Sequence, residues 1–479
     1  MTQANRNSRG SDLARRFYQG RTQAQRAARP GARQLPILNG VNPSCQFTRP
    51  MENVVAEAGD ILIESQRVFR HGNSVMLEVE HDEGKSLTTL STAFESEPAA
   101  SSLLANLFIC EQQLNDNSPP VQYPPPNRFT ALLFTNEPLQ SRIPKINMYA
   151  LRPVFDEDYM FRGPGWYEDV GYLVHGPAVE PILTPRATNA DALLDRLPPR
   201  TKELLNDFCF KSAVDLVNAV GVLLTGILMP QFVSKGKAVG LLDGNQPGIG
   251  KTLLARVAGI VLDGKDPKAI HFTTDDEELS KRTCATLREN GTSVLLFDNA
   301  KLQGGGEINS PFLEANSMAP EISLRILGTS TNFTRPNDLL WFLTMNLTKA
   351  SSDLVSRCVP IRFYYEGDPK DRDFQGREPL DVAHRYREVI LGELAGMVVC
   401  WNQCGRPLGR QQHRLSHWAA VIGGILDANG LPGFLTNLNE AAEEFNTGLD
   451  ELTALAEAAI HMNSQMIQFL PNPSGQPAP

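Results

Sequence analysis

Several things are scarce in this chain of 479 residues, and each scarcity excludes something. Its seven cysteines are scattered, with no dense framework. That argues against a disulfide-built secreted scaffold and suits a reducing compartment. Long apolar runs are missing. The best, AVGVLLTGILM at 219–229, is too short to cross a bilayer, is broken by Thr225 and is closed by Pro230. No stretch resembles a secretory signal, so the expected location is the cytoplasm, with no membrane partner. Internal repeats are absent as well. Excess positive charge is confined to one place: residues 1–40 hold eight arginines (Arg6, Arg9, Arg15, Arg16, Arg21, Arg26, Arg29, Arg33) against the single acid Asp12. An arm of +7 leaves −16 for the rest of a chain whose formal charge is −9. Such an arm either neutralises nucleic-acid phosphates or acts as a solubilising tail.

What remains is the composition of a globular protein, 41% hydrophobic and 21% charged, at a length that implies two or three domains. Residues 41–185 mix alternating segments (ILIES, SVMLEVEH, RFTALLFT) with Pro-rich breaks, which predicts an N-terminal α+β or mostly β domain, taken as α+β, after a disordered arm at 1–40. From about residue 200 the rhythm becomes α/β. KELLNDFCF and AVDLVNAVGVLLTGILM have helical spacing. The runs KAVGLLD, AIHFTT, SVLLFD, LLWFLTMN and VPIRFYY then alternate with helices, which predicts a parallel sheet with helices on both faces over 200–365. Residues 366–465 read as a C-terminal helical domain, ending in LDELTALAEAAIHMNSQMIQFL, and 466–479 as a disordered tail.

The chemistry is concentrated in DGNQPGIGKTLLARV, at 243–257. A strand, a Gly-rich turn and a helix follow in the order that a phosphate-binding loop requires. Asn245, Gln246, Pro247, Gly248, Ile249, Gly250, Lys251, Thr252 and Leu253 are the expected nucleotide-binding residues. Backbone N–H groups would wrap the phosphates, Lys251 would reach the β- and γ-phosphates, and the Thr252 hydroxyl would sit on Mg²⁺. Asn245 stands where the pattern has its first Gly; Asn tolerates a left-handed backbone, so the site is expected to survive. Downstream, SVLLFDNAK ends a buried strand in Asp298, the expected second Mg²⁺ partner. Asn299 follows where a catalytic carboxylate is common, with Glu307 and Glu314 as the nearest alternative bases. LLWFLTMN ends in Thr344 and Asn346, and beside the Asp298 strand Asn346 would face the γ-phosphate and position water. Arg357 either completes a neighbouring subunit's site as an arginine finger or pairs with Asp353 on its own helix.

The order phosphate loop, hhhhDN, hhhhTxN and DLxxR resembles the AAA+ ATPases. It resembles more closely the helicase-type ATPases related to superfamily 3 and the poxvirus primase-helicase, found in phages, plasmids and integrated elements. The spacer SLRILGTSTNFTRPNDLLWFLTMN is similar to their "R-x-LG … PN … W/F … T-x-N" segment, and the resemblance covers roughly 145–440. It implies an ATP- and Mg²⁺-dependent helicase or translocase acting on DNA, with the single strand as the expected form, as a hexameric ring with ATP between subunits and a separate primase as a candidate partner. It also implies a DNA-contacting hairpin at 326–338, making Arg325 and Arg335 candidates for phosphate contact or subunit coupling; local pairing is the alternative. No primase centre is recognisable, and Asn299 favours a rival expectation, a nucleotide-dependent assembly or switch protein that unwinds nothing. Cys400, Cys404, His413 and His417 have a zinc-like spacing, but Cys400 follows LAGMVV and reads more simply as a helix core position.

Overall fold

In a computed structural model the protein is described over residues 35–445, apart from 82–83, 90–97, 114–118, 185–190, 291, 301–306, 329–330 and 347–348. The expected helix at 449–470 and the tail at 466–479 therefore lie outside the described residues, as does the basic arm as far as residue 34. Contacts divide the chain into two compact units.

The first unit takes the described residues within Met1–Ser65 and Ala93–Gln140. Its strand Ile37–Asn39 pairs in parallel with Ile109–Gln112, which pairs antiparallel with Val121–Tyr123. Helices Met51–Glu64, Pro98–Leu107 and Asn127–Thr135 accompany the sheet. Two segments expected to alternate as strands are helical instead. ILIES ends the helix Met51–Glu64, whose Val54, Val55, Ala58 and Leu62 are buried at spacings of one helical turn. RFTALLFT does the same through Phe129, Leu133 and Phe134. In runs this short, burial on a 3.6-residue period outweighs local alternation.

The second unit takes the remainder and is mixed α/β. Four strands form a small sheet: β1 (Val68–His71), β2 (Ser74–His81), β3 (Gly84–Thr89) and β4 (Lys145–Ile146), in the order β3-β2-β1-β4. Next come α1 (Pro199–Leu205) and α2 (Ala213–Ile227). The helix expected across KELLNDFCF stops at Leu205, because Phe208 and Phe210 are drawn onto Phe363, with ring centroids 6.2 and 5.4 Å away.

The main sheet has five parallel strands: β5 (Val239–Gly244), β6 (Ala269–His271), β7 (Val294–Ala300), β10 (Leu340–Met345) and β11 (Cys358–Phe363). Between β7 and β10 stands an antiparallel hairpin, β8 (Glu321–Arg325) and β9 (Asn332–Pro336). The spatial order is β6-β7-β10-β5-β11, so β10 lies between the phosphate-loop strand and the Asp298 strand. All five expected strands are present.

Helices cover both faces, which is why the strands read as near-continuous apolar runs. Leu242, Leu296 and Phe342 face a core shared with α2, α3 (Lys251–Asp263), α6 (Pro379–Gln403) and α7 (Ser416–Ala428). Leu241, Leu295, Phe297, Trp341 and Leu343 point the other way, towards α4 (Asp276–Asn290), the short helix α5 (Ser352–Val355) and the hairpin. Trp341 stacks on Phe297 with centroids 5.5 Å apart.

Candidate nucleotide site

The expected phosphate loop leaves β5 at Gly244 and enters α3 at Lys251. Gly248 and Gly250 hold φ of +81° and +104°, left-handed values that turn the chain back over the helix start and that other residues adopt only under strain. No side chain caps α3, leaving its N-terminus as a ready anion-binding position. Ile249 is fully buried, anchoring the loop, while Pro247 and Gly248 are exposed at its crest. Leu253 is half-buried one turn into the helix.

Asn245 is accommodated for a different reason from the expected one. It is not among the left-handed residues. Its side chain works as an extra peptide group: Nδ2 donates to Tyr365 O at 2.9 Å, and Oδ1 accepts from Tyr365 N at 3.2 Å. The pairing of β5 with β11 is thereby continued one step beyond the sheet. Gln246 adds bonds to Tyr365 O and Gly367 O at 2.8 and 3.0 Å. The Lys251 ammonium is folded onto Gln246 O at 2.7 Å.

At the carboxyl end of the sheet, two adjacent strands and the start of α3 bring a hydroxyl–carboxylate cluster together beside this loop. Asp298 Oδ1 accepts from Thr252 Oγ1 at 2.8 Å and from Thr344 Oγ1 at 2.7 Å. Asn299 N donates to Thr344 Oγ1 at 2.8 Å. The register of β7 against β10 shifts between Phe297 and Ala300, and Asn299, at φ +60°, sits in that irregularity with its side chain exposed. An Asn here has a backbone reason, since it is one of the few side chains that accept this conformation.

The other expected site residues are less uniform. Asn346 lies just past the end of β10 and is half-buried. Arg357 is paired with Asp353 of α5, donating also to its carbonyl at 2.7 Å, and Asp353 is shared with Arg414. Glu314 accepts from Ser351 Oγ at 2.8 Å, and Glu307 is exposed on a short strand. Arg325 is exposed at the end of β8. Arg335 requires a correction: it is 3% exposed and paired with Asp338, so it is an internal residue and offers no phosphate contact. The Cys and His residues of the zinc-like spacing do not converge. His413 uses one ring nitrogen on Cys358 O and the other on Leu415 N, whereas Cys404 is exposed.

Three contributors were not singled out in the sequence, and a fourth, Thr344, was named there without a role. Thr344 carried a signal, as a polar residue in an otherwise apolar strand. Cys209, Tyr365 and Arg372 carried none: Cys209 Sγ donates to Ile249 O at 3.3 Å, and Arg372 lies beside the Cys209 sulfur at 3.4 Å and over the Tyr365 ring at 5.8 Å. The segment after β11 thus lies along the outside of the loop.

The amino end of the same sheet is closed by buried charges. Asp263, the last residue of α3, accepts from Ser293 N and Thr292 Oγ1 at 2.8 and 3.1 Å and pairs with Arg152 at 3.2 Å. Arg152 also donates to Ser293 Oγ and to Gly226 O. Next to it, Asp338 pairs with Arg335 and accepts from Tyr149 N. Burial opposes the Asp338 carboxylate, but Arg335 and His71 hold it well below the usual range. Burial drives the Lys237 ammonium down to about 7, with Asp338 pulling the other way; Lys237 donates to Asn337 O at 2.8 Å. Arg387, from α6, donates to the carbonyls of Ile260, Val261 and Leu262 at the end of α3.

No family model matches the chain. No curated protein matches it either. Among solved structures, an apo A form of the NrS-1 C-terminal region aligns over 78% of this chain and 74% of that one, at 11% identity and a TM-score of 0.39. A further apo NrS-1 C-terminal region gives 81% and 74%, at 10% and 0.38. A ligand-bound JCV helicase aligns over 55% of this chain and 74% of its own, at 15% and 0.23. At such identities and scores the likeness assigns no chemistry, which rests on the chain's own residues. Among the described residues, no helix is long and apolar enough to cross a membrane.

Proposed function

We propose that the chain is an ATP-hydrolysing motor of the AAA+, superfamily 3-like type that acts on DNA as a ring. One observation carries this reading: the Thr252 and Thr344 hydroxyls meet a single oxygen of Asp298 beside a loop with two left-handed glycines and a helix start that no side chain caps. A hydroxyl and a carboxylate in contact beside a phosphate cradle are the donor set for a hydrated Mg²⁺. The residues therefore fit Mg·ATP, which would supply the cleavable phosphoanhydride and the cation that polarises it. Gly248 to Thr252 would bind the phosphates through backbone N–H groups. Lys251 would exchange the Gln246 carbonyl for phosphate oxygens. Thr344 orients Asp298, Asn346 would orient the attacking water, and Asn299 can hold a water but cannot take its proton. Arg357, once released from Asp353, would reach a neighbouring subunit's nucleotide, and exposed Arg325 would meet a DNA phosphate.

A second reading is a nucleotide-dependent assembly or switch protein. Two observations favour it: Asn299 supplies no carboxylate, and burial removes Arg335 from any DNA surface. ATP turnover of the purified protein, measured with and without single-stranded DNA and beside Lys251→Ala, separates the two. Stimulation that falls steeply with salt and is lost in the variant supports the motor. Turnover indifferent to DNA transfers the case to the switch, and turnover intact in Lys251→Ala removes the nucleotide site itself.

A further inference from the structure

The hairpin β8–β9 is gripped from outside by a turn more than 250 residues earlier in the chain. Between β1 and β2, Gly72 holds φ +61°, and a Cβ there would overlap the Thr334 carbonyl of β9. Asn73 then pairs with β9 as though it were one residue of a third strand. Its N–H donates to Thr334 O at 3.3 Å, its Oδ1 accepts from Thr334 N at 2.9 Å, and its Nδ2 donates to Asn332 O. Preceding the turn, buried His71 places Nε2 3.5 Å from Asp338, the carboxylate that pairs with Arg335 of β9. A glycine that admits no side chain, an asparagine imitating a strand and a histidine beside a buried ion pair thus converge on one edge of one hairpin. Contacts accordingly place Gln66–Thr92 in the same unit as the phosphate loop, apart from the chain on either side of it. Beyond the grip, Leu327 is 77% exposed and Arg325 is exposed.

We propose that the Gly72–Asn73 turn is a restraint that fixes the hairpin against the ATPase core and thereby sets how strongly a DNA strand on the hairpin is coupled to turnover. The functional half rests on the motor reading; the mechanical half does not. Asn73 is exposed and touches nothing at the nucleotide site, so its replacement leaves the phosphate loop intact. With Asn73 cut back, β9 loses an acceptor and a donor along its outer edge, and the hairpin opens more often.

The test combines two measurements on the full chain: hydrogen exchange of peptides covering 332–336 and 340–345, and ATP turnover with and without oligothymidylate. In Asn73→Ala, exchange over 332–336 should accelerate roughly tenfold while 340–345 is unchanged. Turnover without DNA should stay within about twofold, and the DNA-stimulated increment should fall by about threefold or more. Asn73→Asp, which keeps the acceptor for Thr334 and loses the donor to Asn332, should lie between. Unchanged exchange over 332–336 overturns the restraint. Accelerated exchange with an intact increment overturns its coupling to DNA and leaves a contact of the fold only. If the unsubstituted protein ignores DNA, the motor reading and the coupling fall together, and exchange alone decides whether the turn holds the hairpin.

Discussion

The two ends of the five-stranded sheet use the same kinds of side chain to opposite effect. At the carboxyl end, one carboxylate receives two hydroxyls, Asp298 is half-buried, and its neighbour Asn299 is exposed. A ligand can enter and replace such bonds one for one. At the amino end, Arg152, Asp263, Arg335, Asp338 and Lys237 are all buried, and the carboxylates are ringed by donors from several elements. Such buried groups are not open to exchange with a ligand from solvent, and removing one member strands another. Ion content therefore does not mark a functional site; the ability to exchange partners does.

That contrast is tested most severely at Asp338. Asp338→Asn leaves Arg335 and Lys237 without their carboxylate, and urea unfolding should show a loss of about 3–5 kcal/mol. Turnover per folded molecule should stay within about twofold; a variant that folds normally and loses turnover would place the chemistry at the wrong end. Lys251→Ala should do the reverse, cutting turnover by roughly 10²–10³-fold while the unfolding midpoint barely moves.

Lys237 sharpens the comparison through pH. Its folded ammonium releases the proton near 7, whereas an unfolded lysine keeps it to 10.5. Between those values the unfolded chain binds more protons, so stability rises with pH by up to roughly 1.4 kcal/mol per unit from this group. Below pH 7 the penalty is complete. In Lys237→Met the slope between pH 7 and 9.5 should flatten by that amount, and an unaltered slope would show that the side chain is not neutralised by burial. The smallest effect is expected at Asn245: Asn245→Ala removes a two-way amide pairing to Tyr365 and should cost about 1–2 kcal/mol, with weaker nucleotide binding read by titration of a fluorescent ATP analogue.

Legibility in the sequence followed locality. The loop, Asp298 and the strand ending in Thr344 are contiguous motifs whose apolar runs fixed strand and parallel sheet together, so the carboxyl end could be read before any coordinates. The amino end could not. Arg152, Asp263 and the Arg335–Asp338 pair come from three separate segments, and nothing in their local sequence separates a buried arginine from an exposed one. Arg335 was therefore left between a phosphate or subunit contact and local pairing, and its burial against Asp338 decides for the pairing. Asn245 was judged by its backbone tolerance, whereas its side chain makes the relevant contacts with a tyrosine 120 residues away. Helices in the first unit were hidden for another reason, because ILIES and RFTALLFT satisfy both periodicities.

The arginine clasp on α3 has an electrostatic consequence. A helix is a rod with a positive start and a negative finish, and Arg387 supplies a fixed counter-charge at the finish through the carbonyls of 260–262. The start has no such counter-charge from a capping side chain. The rod is thus neutralised at one pole and left without a matching charge at the other, which gives the two poles unequal weight towards an approaching anion.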